Sequence, residues 1–139
     1  MSMFKVFDVA GSALSAQSLR LNVTASNMAN ANSVSSSIDE TYRARQPVFA
    51  AVMNEQFGRQ QGSSVGVAVR GIVESQAPLQ PQYNPQHPMA NEDGYIFLPN
   101  VSVVEEMANM ISASRSYQSN VEVINTAKQL MMRTLSMGQ

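Results

Sequence analysis

At 139 residues the chain has the length of one ordinary domain, about 100 to 200 residues, which argues against a multidomain enzyme. Nine Lys plus Arg against ten Asp plus Glu, a net charge of −1, leave no basic excess for nucleic-acid phosphates, and zero Cys excludes disulfides, thiolate metal sites and cysteine nucleophiles. Only 14% of residues are charged, against about 25% in ordinary soluble domains, so Ser, Asn and Gln cover the surface with uncharged polar groups that desolvate readily against another protein.

From Phe4 to Met28 the residues Phe4, Phe7, Gly11, Leu14, Ser18, Leu21, Ala25 and Met28 recur at alternating spacings of three and four. That is the 3.5-residue seam of a coiled coil, and it predicts one long amphipathic helix. Large and small residues alternate along it, which lets a partner helix come close. Asn27, Asn30, Asn32 and Ser33 mark its end. The segment has neither a continuous apolar h-region nor a small-residue cleavage site, and the chain has no apolar run of about 18 residues, so no cleaved signal and no transmembrane segment are expected.

Residues 35–100 hold all six prolines and most of the glycines, which makes the middle of the chain turn-rich and non-helical. Val65, Val67, Val69, Gly71 and Val73 alternate with period two and read as a strand; Tyr42 to Phe49 and Tyr95 to Leu98 are weaker strand candidates. These strands suggest one small β unit. Pro78, Pro81, Pro85 and Pro88 favour polyproline-like or turn geometry between strands, and Asn91-Glu92-Asp93-Gly94 is a turn before the last strand.

A second helix follows, with Val103, Met107, Met110, Ser114, Tyr117, Val121, Ile124, Lys128, Met131 and Leu135 again spaced by threes and fours. Ser102 followed by Glu105 forms a capping box at its start. Lys128 and Arg133 suit the negative end of its dipole, and Gly138 is a helix stop. The expected fold is α+β: long N- and C-terminal helices (1–34 and 101–139) pairing as a coiled coil, with a small β-rich insert (35–100) between them. Two narrow seams bury little against a backbone ordering cost of about 1–2 kcal/mol per residue. The terminal segments are therefore expected to order fully only against copies or partners.

No pattern for catalysis or for a cofactor stands out. His87, the only histidine, lies in Pro85-Gln86-His87-Pro88 without a partner at metal or triad spacing, and reads as a loop histidine. Glu92 and Asp93 lack the alternating carboxylates of a calcium loop, and Glu105 with Glu106 sit where acids suit a helix N-terminus. The glycines near Gly62, Gly66 and Gly71 form no phosphate loop or dinucleotide fingerprint. Asn22-Val23-Thr24 and Asn100-Val101-Ser102 match the glycosylation tripeptide by chance. Arg43, Arg45, Arg59 and Arg70 could touch an anionic polymer such as cell-wall glycan, but Asp39, Glu40, Glu55 and Glu74 balance them. No enzyme, cofactor or metal is expected, and the chemistry left to the chain is that of an interface.

Ala25-Ser26-Asn27-Met28-Ala29-Asn30-Ala31-Asn32-Ser33, preceded by Arg20-Leu21-Asn22-Val23 and followed by Tyr42-Arg43, closely resembles the N-terminal signature of the bacterial flagellar axial proteins, the rod and hook family. Tyr83 to Ala90, Asp93-Gly94-Tyr95 and Leu98 to Val101 resemble a segment of the family's proximal rod subunits. Glu106 to Met110 with Ala113 to Val121 resembles their C-terminal helix, and Leu135 to Gln139 their tail. Residues 33–41 and 54–64 depart from the family pattern.

The resemblance implies a structural subunit that polymerises helically into the proximal rod and transmits motor torque from the membrane ring to the distal rod and hook. It implies as partners copies of the chain, the rod proteins FlgB, FlgF and FlgG, FliE and the flagellar type III export apparatus, with the MS ring and peptidoglycan as further neighbours. Its implied place is the basal body in the periplasmic space, reached by export without a cleaved signal. The subunit interface expected from the two seams and the motif comprises Phe7, Leu14, Leu21, Met28, Met107, Met110, Tyr117, Val121, Ile124, Met131 and Leu135. Asn27 and Asn30 are expected in end-of-helix and inter-subunit hydrogen bonds, and the ten Met offer adaptable contacts for unlike neighbours. A soluble helical adaptor or export chaperone of the type III system is the alternative; it would close its helices into a hairpin around a client.

Overall fold

The computed structural model describes residues 3–52 and 66–137. Its frame is a pair of helices, α1 (Met3–Asn30) and α2 (Val103–Met137), of 28 and 35 residues, about 42 and 52 Å long at 1.5 Å per residue. Neither helix contains proline, and both are rich in Ala, Leu, Met and Ser, so the backbone has no internal reason to break. The two run antiparallel: Arg20 of α1 donates to Asn109 of α2 at 2.9 Å, while Val6 lies beside Val123, Ala127 and Leu130. In that register the last turns of α2, from about Leu130 to Met137, run past the described start of α1.

The period of three and four is present, but α2 turns a different stripe inward from the one its large residues suggest. Glu106, Ala113 and Ala127, spaced by sevens with half-buried Asn120 between them, are buried in place of the row Met107, Ser114, Val121 and Lys128. Met110, Ile124 and Met131 keep their expected half-buried places. In α1 the buried residues are Ala10, Ala16, Val23, Thr24 and Asn27. Small side chains let the two backbones approach closely, and this outweighs the greater transfer energy of the larger residues, which are left along the flanks.

Each helix end is settled locally. Ser33 closes α1, its N–H and Oγ both donating to the Asn30 carbonyl at 3.0 and 2.8 Å. At the start of α2 the Ser102 Oγ accepts weakly from the Glu105 N–H at 3.5 Å, and the Ser102 carbonyl accepts from the Glu106 N–H at 2.9 Å. The Glu105 carboxylate makes no return bond and stays exposed at the positive end of the helix dipole. The expected helix stop at Gly138 lies outside the described residues.

In place of one β unit the described chain has two antiparallel two-stranded sheets. β1 (Arg45–Val52) pairs with β2 (Gly66–Glu74), from Arg45 opposite Glu74 to Val52 opposite Gly66. The register slips between Val48 and Phe49, leaving Arg70 unpaired. β3 (Gln80–Tyr83) pairs with β4 (Tyr95–Leu98). β3 was not expected, because Pro81 argues against a strand; at the edge of a two-stranded sheet its missing N–H is tolerated. Ser35 adds a bridge on β4, exchanging two bonds with Phe97 at 3.1 and 2.9 Å.

The turn into β4 matches the sequence reading. The Asn91 Oδ1 accepts from the N–H groups of Asp93 and Tyr95, and Gly94 takes φ +80°, a conformation that L side chains rarely adopt. Val65, Gly62 and residues 54–64 lie outside the described residues. No helix among the described residues is long and apolar enough to cross a membrane.

Candidate subunit interface

The largest group of side-chain bonds between the insert and the helix pair gathers at the dipeptide Ala44-Arg45, where β1 begins. Asn27, in the last turns of α1, is 1% exposed and holds Arg45 from both sides: its Oδ1 accepts from the Arg45 N–H at 2.9 Å and its Nδ2 donates to the Arg45 carbonyl at 2.8 Å. The same Oδ1 accepts from the Tyr42 hydroxyl at 2.8 Å. From the other helix, Asn100, two residues before the cap of α2, accepts from the Ala44 N–H at 2.8 Å and donates to the Ala77 carbonyl at 2.9 Å. The Ala44 carbonyl takes the Ser75 N–H at 2.8 Å. A primary amide offers donor and acceptor side by side, and two of them here satisfy the backbone groups of buried Ala44 and of Arg45, the first residue of β1.

Asn27 therefore lies inside the subunit rather than on a surface shared with another, because burial and its three bonds commit it to its own chain. Asn30 is an end-of-helix residue, its Nδ2 donating to the Ser26 carbonyl at 2.8 Å. Asn100 was missed as a site residue; it shares its amide type with Asn27, and its place just before a cap serine was the one available signal. Of the insert arginines, read as part of a balanced charged surface, Arg45 pairs with Glu74 at 3.2 Å and stacks over Tyr42, and Arg43 reaches the Ser75 and Ala77 carbonyls at 3.4 Å. Arg59 lies outside the described residues. His87 accepts the Met89 N–H at 3.1 Å through Nδ1, a turn contact.

The remaining expected interface residues fall into two groups. Phe7, Leu14, Leu21, Met28, Met110, Ile124 and Met131 are half-buried along the helix pair, while Met107, Tyr117, Val121 and Leu135 are exposed. Of the exposed members, Met107, Val121 and Leu135 recur at multiples of seven on α2, with Val104 (78% exposed), Ile111 and Met132 exposed beside them. A second row, Val123, Leu130 and Met137, is exposed at intervals of seven, and Val123 and Leu130 border a groove of about 560 Å³ against Val6 of α1. On the β1–β2 hairpin Val48, Phe49, Val52, Val69, Ile72 and Val73 are exposed as well. Apolar surface of this extent, exposed among the described residues of a helix and a hairpin, is the kind that suits protein association. Among the described residues no group of three or more His, Asp or Glu could hold a metal ion.

Two family models match the chain. Residues 7–35 match one described as flagella basal body rod protein, and residues 92–137 match one described as the C-terminal part of the flagellar basal body rod FlgEFG proteins. Over its full length the chain is 51% identical to the flagellar basal-body rod protein FlgC of Salmonella typhimurium and 53% identical to that of Yersinia enterocolitica, with all of both chains covered in each case. It is 41% identical, again with complete coverage of both chains, to the FlgC of Buchnera aphidicola.

Proposed function

The chain belongs to the FlgC family of flagellar basal-body rod proteins, and on that premise we propose that it polymerises helically in the proximal rod and carries motor torque from the membrane ring to the distal rod and hook. It is a structural subunit of the flagellar basal body, associated with other rod components, and not an enzyme. The observation that carries the proposal is the division of labour on α2. Its seam to α1 is built of Glu106, Ala113 and Ala127, while Val104, Met107, Ile111 and Leu135 are left exposed among the described residues. Burying that stripe against a neighbour is worth about 25 cal/mol per Å² of apolar surface, gained only on assembly.

The neighbours proposed are copies of the chain together with FlgB, FlgF, FlgG and FliE, the MS ring and peptidoglycan lying at the margins. The chain is proposed to pass through the flagellar type III export apparatus unfolded and without cleavage, and to take its place in the rod within the periplasm. A private core made mainly of alanines supports ordering at the growing end: the free subunit holds little of the apolar energy that the assembled rod would supply. The proposed interface retains Phe7, Leu14, Leu21, Met28, Met107, Met110, Tyr117, Val121, Ile124, Met131 and Leu135.

Electron microscopy of basal bodies from a strain lacking the chain tests this. The expected result is a membrane ring without a rod. An intact rod would overturn the proposal and favour an adaptor or export chaperone.

A further inference from the structure

The chain holds ten Met and no Cys, so thioethers are its one class of oxidisable sulfur. Among the described residues they meet water to different degrees. Met28, Met110 and Met131 are half-buried along the helix pair, whereas Met107 and Met132 of α2 are 50% and 56% exposed. Met107 and Met132 are separated by about seven turns of the helix, close to a whole number, so both fall on one face. Exposed Val104 and Ile111 flank Met107 one turn to either side, and exposed Leu135 follows Met132 by one turn. Within this apolar surface the two sulfurs are the groups whose chemistry can change.

We propose that Met107 and Met132 are oxidation sites that decide whether a subunit is admitted to the rod. The inference rests on the rod-subunit reading and adds a covalent control to it. With hydrogen peroxide as oxidant, a sulfur lone pair attacks one peroxide oxygen, an S–O bond forms and the O–O bond breaks. The thioether loses two electrons and becomes a sulfoxide; the peroxide gains them and, after a proton shift, leaves as water. In the unassembled chain the new oxygen is hydrated, and the seam, whose methionines are shielded, keeps its packing. Against a neighbouring subunit the same oxygen is a strong acceptor on a surface of Val, Ile and Leu, and leaving it unsatisfied there is unfavourable. A subunit already in the rod would have both sulfurs covered, so a peroxide that disables waiting subunits spares built ones.

Two measurements test it. The purified chain is treated with graded hydrogen peroxide and its methionines are followed by mass spectrometry. Sulfoxide is expected at Met107 and Met132 several-fold sooner than at Met28, Met110 and Met131, with the thermal midpoint moved by no more than about 2 °C. Equal rates, or loss of the helices as the first two react, would overturn the proposal. In peroxide-treated cells, the native chain recovered from newly built basal bodies is expected to carry about tenfold less sulfoxide at both positions than the unassembled chain, the effect of one unsatisfied polar group at an interface. Cells that also make a Met107→Leu, Met132→Leu chain report the consequence. That chain should be enriched in the rods under peroxide and not without it, while a Met89→Leu chain, altered at an exposed Met of the insert, should gain nothing. Sulfoxide equally abundant in the rods, or an equal gain by Met89→Leu, would sink the oxidation sites alone. Absence of the chain from untreated rods would sink the rod-subunit reading as well.

Discussion

The helix pair and the β1–β2 hairpin both present apolar side chains that nothing among the described residues covers, but they are held in different ways. The helices are joined along their length by a repeated seam, with Glu106, Ala113, Asn120 and Ala127 at every seventh position on α2 and half-buried Met110, Ile124 and Met131 between them. The hairpin is fixed near its ends by directional bonds: the amides of Asn27 and Asn100 at Ala44-Arg45, and the Ser12 hydroxyl, which accepts from the Val67 N–H at 3.1 Å. A distributed seam loses strength in proportion to the damage, whereas a point joint fails when one group is removed. A subunit that passes load from helices to hairpin would pass it through Ala44-Arg45.

The largest effect is expected from Ile124→Asp, which places a charge in the seam opposite the start of α1. An unpaired, half-desolvated carboxylate there should cost roughly 3 kcal/mol or more and separate the helices. Circular dichroism of the purified chain should show helix loss, and cells carrying the variant should not swim; normal swimming would contradict the seam.

Asn27→Leu comes next. It removes the side-chain partner of the Arg45 N–H and of the Arg45 carbonyl and leaves the Tyr42 hydroxyl only its 3.3 Å contact with the Ser26 Oγ, at about 1–3 kcal/mol for each group left unsatisfied and buried. Hydrogen exchange should accelerate across β1 and β2 while the middle of α2 keeps its protection. Equal acceleration in both regions would show that the joint and the seam unfold as one unit.

Ser12→Ala removes one bond at the far end of the hairpin, worth about 0.5–1.5 kcal/mol, and the change in exchange should be confined to residues near Val67. The smallest effect on the free chain is expected from Ile111→Ser, on the exposed stripe, within about 0.5 kcal/mol. Its incorporation into rods should nonetheless fall. Unchanged incorporation would remove Ile111 from the interface.

Much of the frame was legible in the residues. Period and proline placement located both helices, the turn chemistry of Asn91 to Gly94 located the start of β4, and the alternating valines located β2. β3 was hidden because Pro81 opposes a strand unless that strand is an edge, and whether a strand is an edge depends on what lies beside it. The role of Asn100 was hidden for a related reason: it acts on groups far away in the chain, Ala44 and Ala77.

The sequence by itself determined that there are two long helices, a turn-rich β insert and a surface suited to association, because these follow from local periodicity, proline and glycine placement and the shortage of charge. Which stripe of α2 faces α1 was decided only by the tertiary structure. Hydrophobic periodicity counts how much apolar surface each row carries, and by that measure Met107 and Val121 outrank Ala113 and Ala127. Two helices that pack closely select for small size at the contact instead, and the larger side chains are left facing outward, where a neighbouring subunit can bury them.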